Sequence, residues 1–504
     1  KVTFLASFFA FFAFVFALEG AGLFSHELNL GLSICFILLS AALTLGEASG
    51  TRGNRRGKLL GLLIMALGLF LLSGSLRIRL FASAIFFYGL YIVRKEERPF
   101  VPLAISLGCF TSGILVYFWS TSTLGWYLAD GFSRWASQTA GQLWVGLART
   151  FGASNFKATT LGPSFSGLNP LIVALSIIFC TTLLKYQKER SILRGVGSLL
   201  FWTVALVILW CLYVGIFTFA PVWLGYNPEE TNPAFPSNLY PLYIPLFLAI
   251  LLSVLVGVRI RRIQSIEPTL RRGGAAVFFL SCSLALLSVW ALTNVPAGVP
   301  EGPRKVAFYK EGFLNWLVPK HGQYGRYSAG MFGNLPELLK RMGWEAELIP
   351  SITPKTLDGK HVLVIINQDH VIPEGSLSVI ERFVQKGGSL LILGDHTFWK
   401  KEKRVVLNDP IRFTHIRVAF DSANFFIGGW LHSYCLRPHF VTAGLDDHTN
   451  EPGSVVGASV KISYPAVPIL IGRYGYSDPG DPKAEGRGYL GNLKYDPGEE
   501  LGDI

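Results

Sequence analysis

Charged residues are scarce in this sequence, and their distribution along the chain is uneven. Asp, Glu, Lys and Arg make up only 15% of the 504 residues, whereas 51% are hydrophobic. Up to Pro300 there are 22 basic and 10 acidic residues, and from Glu301 onward there are 23 of each. The net charge of +12 therefore belongs to the apolar first half, where it fits loops between membrane spans, and we expect no nucleic-acid partner.

Motifs of several familiar chemistries are also missing. The sequence has no HExxH zinc motif, no closely spaced pair of cysteines and no ATPase P-loop. Five of the six cysteines lie in apolar segments, and Cys435 alone lies in the second half, which excludes an internal disulfide there. We therefore predict no cofactor, although a divalent metal stays open at the Asp and His positions described below.

Long apolar runs fill the first half of the chain. The last of them, Gly274–Leu292, has nineteen residues without a charge, enough to cross a bilayer as a helix. The pattern predicts about nine spans, at 2–24, 28–46, 59–76, 80–93, 100–120, 168–184, 196–219, 240–258 and 274–292. We therefore expect a multi-span transmembrane domain over 1–292, a tether over 293–303 and an extracytoplasmic α/β domain over 304–504.

The basic residues of the loops predict the orientation of the spans. Sixteen lie in loops on one side and five on the other, so the first side should be cytoplasmic and the protein should lie in a bacterial or archaeal cytoplasmic membrane. The outer loop 121–167 carries Trp126, Trp135 and Trp144 at nine-residue intervals. This pattern predicts an amphipathic helix on the outer membrane surface, with a packed loop helix of no separate role as the alternative.

The sixth span opens with the sequence LGPSFSGL, residues Leu161–Leu168. The layout resembles the exosortase/archaeosortase family of membrane transpeptidases, which place an outer amphipathic segment before a Cys-Ser-Gly-Leu-like motif. The resemblance covers Ser166, Gly167 and Leu168, within roughly residues 60–260, and implies that Phe165 stands where the family has its nucleophilic Cys. A degenerate copy is then expected, with Ser164 or Ser166 as the alternative nucleophile.

The second half alternates apolar strands with helices. Strands are predicted at 305–309, 345–349, 361–367 and 389–394, with helices at 328–343 and 374–386. Strands that are apolar throughout predict a parallel sheet covered on both faces. Further strands are expected at 416–421, 454–463 and 467–471, followed by a loop-rich segment from Ser477 to Asp503.

The stretches KHVLVIINQDH and VIERFVQKGGSLLILGDH carry a second resemblance. They are similar to the class I glutamine-amidotransferase-like fold, most of all to its noncatalytic branch of ABC-transporter auxiliary domains. The resemblance covers about residues 304–400 and implies a flavodoxin-like three-layer domain. The turn after Leu393 holds Gly394, Asp395 and His396 but no Cys, so we do not expect amidotransferase chemistry.

Polar side chains follow the predicted strands at their carboxyl ends, where open α/β sheets bind ligands. The candidate ligand-binding residues are Asn367, Asp369, His370, Asp395, His396, Asp421 and His432. A glycan or peptide ligand, a divalent metal held by Asp and His, and simple loop capping all remain open for them.

These patterns predict a non-enzymatic integral membrane subunit of an export or envelope-assembly complex. Its outer domain would bind a partner protein or an envelope polymer. The alternatives are an exosortase-like membrane peptidase using Ser166 and a metal-dependent hydrolase built on Asp395 and His396. The chain starts without Met and ends where a strand is predicted to begin, so we expect a fragment that continues beyond Ile504.

Overall fold

The computed structural model describes most of the two halves and part of the segments that join them. The described residues are 2–17, 26–46, 55–73, 76–94, 100–153, 155–189, 192–223, 240–263, 304–318, 331–394, 404–425, 434–436, 439, 457–481, 492 and 494–502. The predicted span 274–292, the tether, Asp395, His396 and His432 lie outside these residues.

The described residues of the N-terminal half form nine α-helices. They are α1 (Val2–Ala17), α2 (His26–Gly46), α3 (Arg55–Leu72), α4 (Leu76–Val93), α5 (Phe100–Thr121), α6 (Thr123–Thr150), α7 (Leu168–Glu189), α8 (Ile192–Trp223) and α9 (Tyr240–Ile263). Eight of them coincide with predicted spans, and α6 occupies the predicted amphipathic segment. Ser122 caps α6, because its hydroxyl accepts a hydrogen bond from Gly125 N at 2.9 Å.

Fewer helices than predicted are long and apolar enough to cross a membrane. Among the described residues five qualify, in α2, α5, α7, α8 and α9, so the prediction of about nine spans is not supported. Helix α1 has 16 residues, or about 24 Å at 1.5 Å per residue, short of a hydrocarbon core of about 30 Å. Helix α4 has a similarly short apolar stretch, and α3 opens on three basic residues. The five long helices make the chain a membrane protein.

Small residues and buried hydroxyls hold the helices together. Gly68 lies against the backbone of Phe86, so that α3 and α4 pack closely. Ser33 and Ser40 of α2 donate hydrogen bonds to carbonyl oxygens of α1, at 3.0 and 2.7 Å. These are the contacts by which helices associate where burial of apolar surface gives little advantage.

A parallel sheet forms the first part of the C-terminal half, as predicted. Its strands are β1 (Lys305–Tyr309), β2 (Glu345–Ile349), β3 (Val362–Ile366) and β4 (Ser389–Leu393), in the spatial order β2-β1-β3-β4. Helices α10 (Asn334–Arg341), α11 (Pro354–Leu357) and α12 (Glu374–Gln385) lie between them along the chain. Alternate strand residues enter two separate cores, one containing Leu335 and Leu339 of α10 and the other Leu377 and Ile380 of α12. The sheet is therefore covered on both faces.

Short antiparallel strands follow the parallel sheet. They are β5 (Ile416–Val418), β6 (Asp421–Phe425), β7 (Tyr434–Leu436), β8 (Val460–Ile462), β9 (Leu470–Gly472), β10 (Gly475–Pro479) and β11 (Glu500–Gly502). Strands β11, β10 and β6 form one sheet in that order. The prediction of a mostly loop segment after Ser477 was wrong at β10 and β11, because these strands are short and rich in Gly, Pro and acid.

This antiparallel sheet packs on the membrane half. Leu161, in the loop before α7, pairs in parallel with Leu501 of β11. Gly162 N donates to Leu501 O at 2.6 Å, and Leu501 N donates to Thr160 O at 3.0 Å. Buried side chains from both halves then share one core, namely Leu161, Phe165, Tyr474, Tyr476, Tyr495 and Leu501. The loop before α7 and the last strand form one unit.

Candidate functional site

The strand order places a switch point between β1 and β3. The chain leaves β1 toward β2 on one side and leaves β3 toward β4 on the other. In open α/β sheets a crevice opens at such a point, outside the carboxyl ends of the two strands. Tyr309 ends β1 here, and Asn367, Gln368, Asp369 and His370 follow β3. We call these five residues the switch-point site.

Three side chains of the switch-point site form a hydrogen-bonded row. Tyr309 Oη lies 3.0 Å from His370 Nε2, and His370 Nδ1 lies 3.1 Å from Asp369 Oδ1. An ionised carboxylate only accepts, so Nδ1 donates to Asp369 and Nε2 accepts the Tyr309 hydroxyl proton. Burial raises the pKa of Tyr309, and Glu311 and Asp369 raise that pKa further. The hydroxyl therefore stays protonated and suits binding better than nucleophilic attack.

Asn367 shapes the backbone of the site. Its φ of 45° lies in the left-handed region, which Asn tolerates better than most residues. Its N donates to Leu393 O of β4, and its carbonyl accepts from Phe313 N, both at 2.8 Å. Asn367 thus ties together the segments that follow β1 and β3.

Gln368 and Tyr309 belong to the site but were not predicted. Gln368 is fully buried, and its Nε2 donates to His370 O at 2.7 Å. Its Oε1 has no hydrogen-bond partner among the described residues. A buried acceptor left without a donor costs roughly 1–3 kcal/mol, so this oxygen is a candidate contact for a bound donor group. The sequence signal that could have identified Gln368 is its position directly after the predicted apolar strand 361–367.

Apolar side chains are exposed on the segments that follow β1 and β3. Phe313, Leu317 and Val318 follow β1 and are 54%, 65% and 50% exposed, and Val371 is 42% exposed. Exposed apolar side chains together with a few fixed polar groups are the usual lining of a ligand or peptide groove. Asp369 Oδ1 bonds His370, and the second carboxylate oxygen has no donor among the described residues.

A metal centre at the Asp and His positions stays a prediction. Asp369 and His370 bond each other, and no group of three His, Cys, Asp or Glu residues with metal-binding geometry occurs among the described residues. The switch-point site contains two side chains of these types, Asp369 and His370, and catalytic zinc sites use three protein ligands. Asp395 and His396, the other candidates for a metal, lie outside the described residues.

Asp421 lies in the antiparallel sheet rather than at the edge of the parallel one. It is 4% exposed and accepts hydrogen bonds from Ser459 N at 2.9 Å, Ser459 Oγ at 2.6 Å and Ser477 Oγ at 2.5 Å. These bonds join β6, β10 and the segment before β8. The structure therefore gives Asp421 a role in holding that sheet together.

Ser166 is buried among residues of the membrane half. It is 2% exposed, and its hydroxyl lies 3.1 Å from Ser133 Oγ and 3.2 Å from Pro163 O. Its carbonyl accepts from Trp210 Nε1 at 2.8 Å. No base is among its hydrogen-bond partners in the described part of the chain, and a nucleophilic serine requires one.

Phe165, beside Ser166, is fully buried. Its ring packs against Tyr474 at 5.7 Å and Phe217 at 6.3 Å between centroids, and its carbonyl accepts from the Tyr213 hydroxyl. This position therefore serves packing between the two halves.

Comparison with family models, with curated proteins and with solved structures finds no match to the chain.

Proposed function

We propose that the chain is a non-enzymatic integral membrane subunit whose α/β domain binds a partner protein or an envelope polymer during export or envelope assembly. The observation that carries the proposal is the switch-point site. Tyr309 and Asp369 keep acceptor capacity that no described residue uses, and the buried Gln368 oxygen has no partner among the described residues. Such groups recognise the hydroxyls of a glycan or the amides of a peptide, and they include no activated nucleophile.

The packing around Ser166 supports the same proposal. A membrane transpeptidase needs a nucleophile that its substrate can reach, and Ser166 is 2% exposed, with its hydroxyl against Ser133 of α6. The docking also fixes the C-terminal half to the membrane helices through backbone hydrogen bonds. A rigid link of this kind suits a subunit that holds a partner at a set height above the bilayer.

The proposal includes an orientation. The loops with sixteen basic residues face the cytoplasm, Gly274–Leu292 is a further span, and the α/β domain lies outside the cytoplasmic membrane of a bacterium or archaeon. The exposed apolar side of α6 then rests on the outer surface of the bilayer. Leu128, Trp135 and Leu143 on that side are 59%, 66% and 72% exposed.

A pull-down in mild detergent tests the proposal. The tagged full-length protein is recovered from its native membrane, and copurifying proteins and glycans are identified. We expect His370→Ala to lower recovery of the partner roughly tenfold, because it removes the hydrogen bonds that hold Tyr309 and the charged Asp369 in place. A hydrogen bond to a charged group contributes about 1.5–3 kcal/mol. His361→Ala is the matched control, because His361 precedes β3 at the opposite edge of the same sheet. Equal recovery with both variants would remove the switch-point site from the proposal.

Ser166→Ala separates the proposal from the peptidase alternative. A scaffold should keep its biological activity when this hydroxyl is lost, apart from a small loss of stability. Accumulation of uncleaved secreted proteins with a shared tail signal in the Ser166→Ala strain would favour the peptidase instead.

A further inference from the structure

An arginine is buried between three helices at the end of the bundle that carries the basic loops. Arg259 lies four residues before the end of α9 and is 4% exposed. Its Nη1 donates to Ser198 Oγ of α8 at 3.0 Å, and its Nη2 donates to Thr182 Oγ1 of α7 at 2.8 Å. At 1.5 Å per residue Arg259 lies about 6 Å inside the end of α9, near the boundary between acyl chains and headgroups.

The charge of Arg259 has no carboxylate partner among the described side chains. Both hydrogen-bond acceptors are neutral hydroxyls, and its Nε, which is also buried, has no acceptor there. An uncompensated cation in such surroundings costs several kcal/mol. An anion that reaches Nε would supply both the missing acceptor and the missing charge.

A second arginine and a tryptophan accompany Arg259. The guanidinium carbon of Arg259 is 5.5 Å from the ring centre of Trp202, and that of Arg262 is 5.9 Å from the same ring. Trp202 is 7% exposed, whereas Arg262 is exposed. The ring thus holds one buried and one accessible guanidinium close together, although their like charges repel.

We propose that Arg259, Arg262 and Trp202 form a binding site for the phosphate of an anionic phospholipid headgroup. Guanidinium groups bind phosphate oxygens through paired, charge-assisted hydrogen bonds. Basic pockets between membrane helices on the side of the basic loops are where such headgroups bind. The acyl chains of the lipid would lie along the exposed side of α8, where Leu200, Phe201 and Val204 are 63%, 61% and 48% exposed.

The test measures the thermal stability and lipid affinity of the full-length protein in a neutral detergent. Dioleoyl phosphatidylglycerol, dioleoyl phosphatidylcholine and inorganic phosphate are added separately. The site predicts that phosphatidylglycerol raises Tm, and that the other two additions leave it nearly unchanged. Arg262→Gln should weaken the apparent affinity for phosphatidylglycerol about tenfold, the loss of one charge-assisted hydrogen bond.

Arg261→Gln is the matched control. Arg261 is the exposed neighbour with the same charge and no contact with Trp202, so its loss should change affinity only a few-fold. Equal losses in Arg261→Gln and Arg262→Gln would show general electrostatic attraction and overturn the site. An equal rise of Tm with phosphatidylcholine would overturn an anionic headgroup as the ligand, and an equal rise with inorganic phosphate would overturn a lipid as its source.

Trp202→Leu gives a second variant that keeps every charge. The arginines lose the ring that holds them together, and we expect the affinity for phosphatidylglycerol to fall while the net charge is unchanged. Unaltered affinity in Trp202→Leu would contradict the proposed geometry even if Arg262→Gln behaved as expected.

Discussion

At the scale of single residues, Phe165 is a core side chain shared by the two halves. It is fully buried, its ring contacts Tyr474 and Phe217, and it therefore joins the membrane half to the docked sheet. We expect Phe165→Ala to destabilise the protein by roughly 3–5 kcal/mol, because a large ring is lost from a packed core. The Tm in detergent measures the loss. Phe151→Ala, at an 82% exposed position, is the control and should change stability by less than about 0.5 kcal/mol.

Glu499 makes the stability of the docked sheet depend on pH. The pKa of its carboxyl is raised to about 7, mainly by burial and also by Asp478 and Asp496, against the lowering effects of a hydrogen bond from Asp496 N and of Lys157. The folded protein thus binds this proton more tightly than the unfolded chain. The stabilisation is complete below the unfolded value of 4.5 and is lost as the pH rises through about 7.

The Tm should therefore fall between about pH 5 and pH 8, and Glu499→Gln should flatten that part of the profile. Glu337→Gln provides the control, because the hydrogen bond from Lys340 lowers the pKa of this exposed carboxyl on α10. If the Tm of Glu499→Gln falls with pH as steeply as that of the wild-type protein, a group other than Glu499 causes the pH dependence.

Single residues of the switch-point site were only partly predictable. Asn367, Asp369 and His370 are predictable as ligand-binding residues because they follow an apolar strand, and a parallel sheet brings the carboxyl ends of its strands to one edge. Tyr309 was assigned to a strand, and its hydrogen bond to His370 depends on β1 and β3 being neighbours. The local sequence around Tyr309 does not indicate that β1 and β3 are neighbours, so this hydrogen bond was not predictable.

At the scale of elements, an ion-pair network latches α6 to strand β11. Arg134 of α6 pairs with Asp130 at 2.7 Å and also with Glu500, and Lys461 lies 3.2 Å from Glu500. These carboxylates and Arg134 are only 15–27% exposed, so water and salt screen them less than a surface pair.

We expect Glu500→Gln to destabilise the latch by about 1.5–3 kcal/mol, because a partly buried, charge-assisted contact is lost. Limited proteolysis of the C-terminal segment and the Tm both report the change. The control is Glu345→Gln, whose partner Lys305 also lies 3.2 Å away but whose side chain is 59% exposed, so it should cost less than about 1 kcal/mol. Equal costs for the two variants would argue that the latch is an ordinary surface pair.

Long apolar elements were predictable and short polar strands were not. The helices of the membrane half and strands β1 to β4 follow from uncharged runs bounded by Gly, Pro or basic residues. The number of spans was overestimated, since the pattern gave equal weight to helices too short or too charged to cross a bilayer alone. Strands β10 and β11 escaped prediction because hydrogen bonds to distant partners, rather than local preference, define them.

At the scale of the whole molecule, the two halves are joined by contacts between residues that are far apart in sequence. Residues 160 to 162 and Leu501 are more than 300 positions apart in sequence, yet they share backbone hydrogen bonds. The sheet they build also brings Tyr474 against Phe165 of the membrane half. Contacts at such separations cannot be read from local patterns, and the docking was therefore not predicted.

Hydrogen exchange of the full-length protein in lipid nanodiscs tests this docking most directly. The amides of Gly162 and Leu501 should exchange slowly and together, because each donates to the opposite half. In Glu500→Gln both should exchange faster, while the amides of α5 and α7 keep their protection. If residues 155–162 exchange at the rate of an unstructured peptide in the wild-type protein, the halves are not docked.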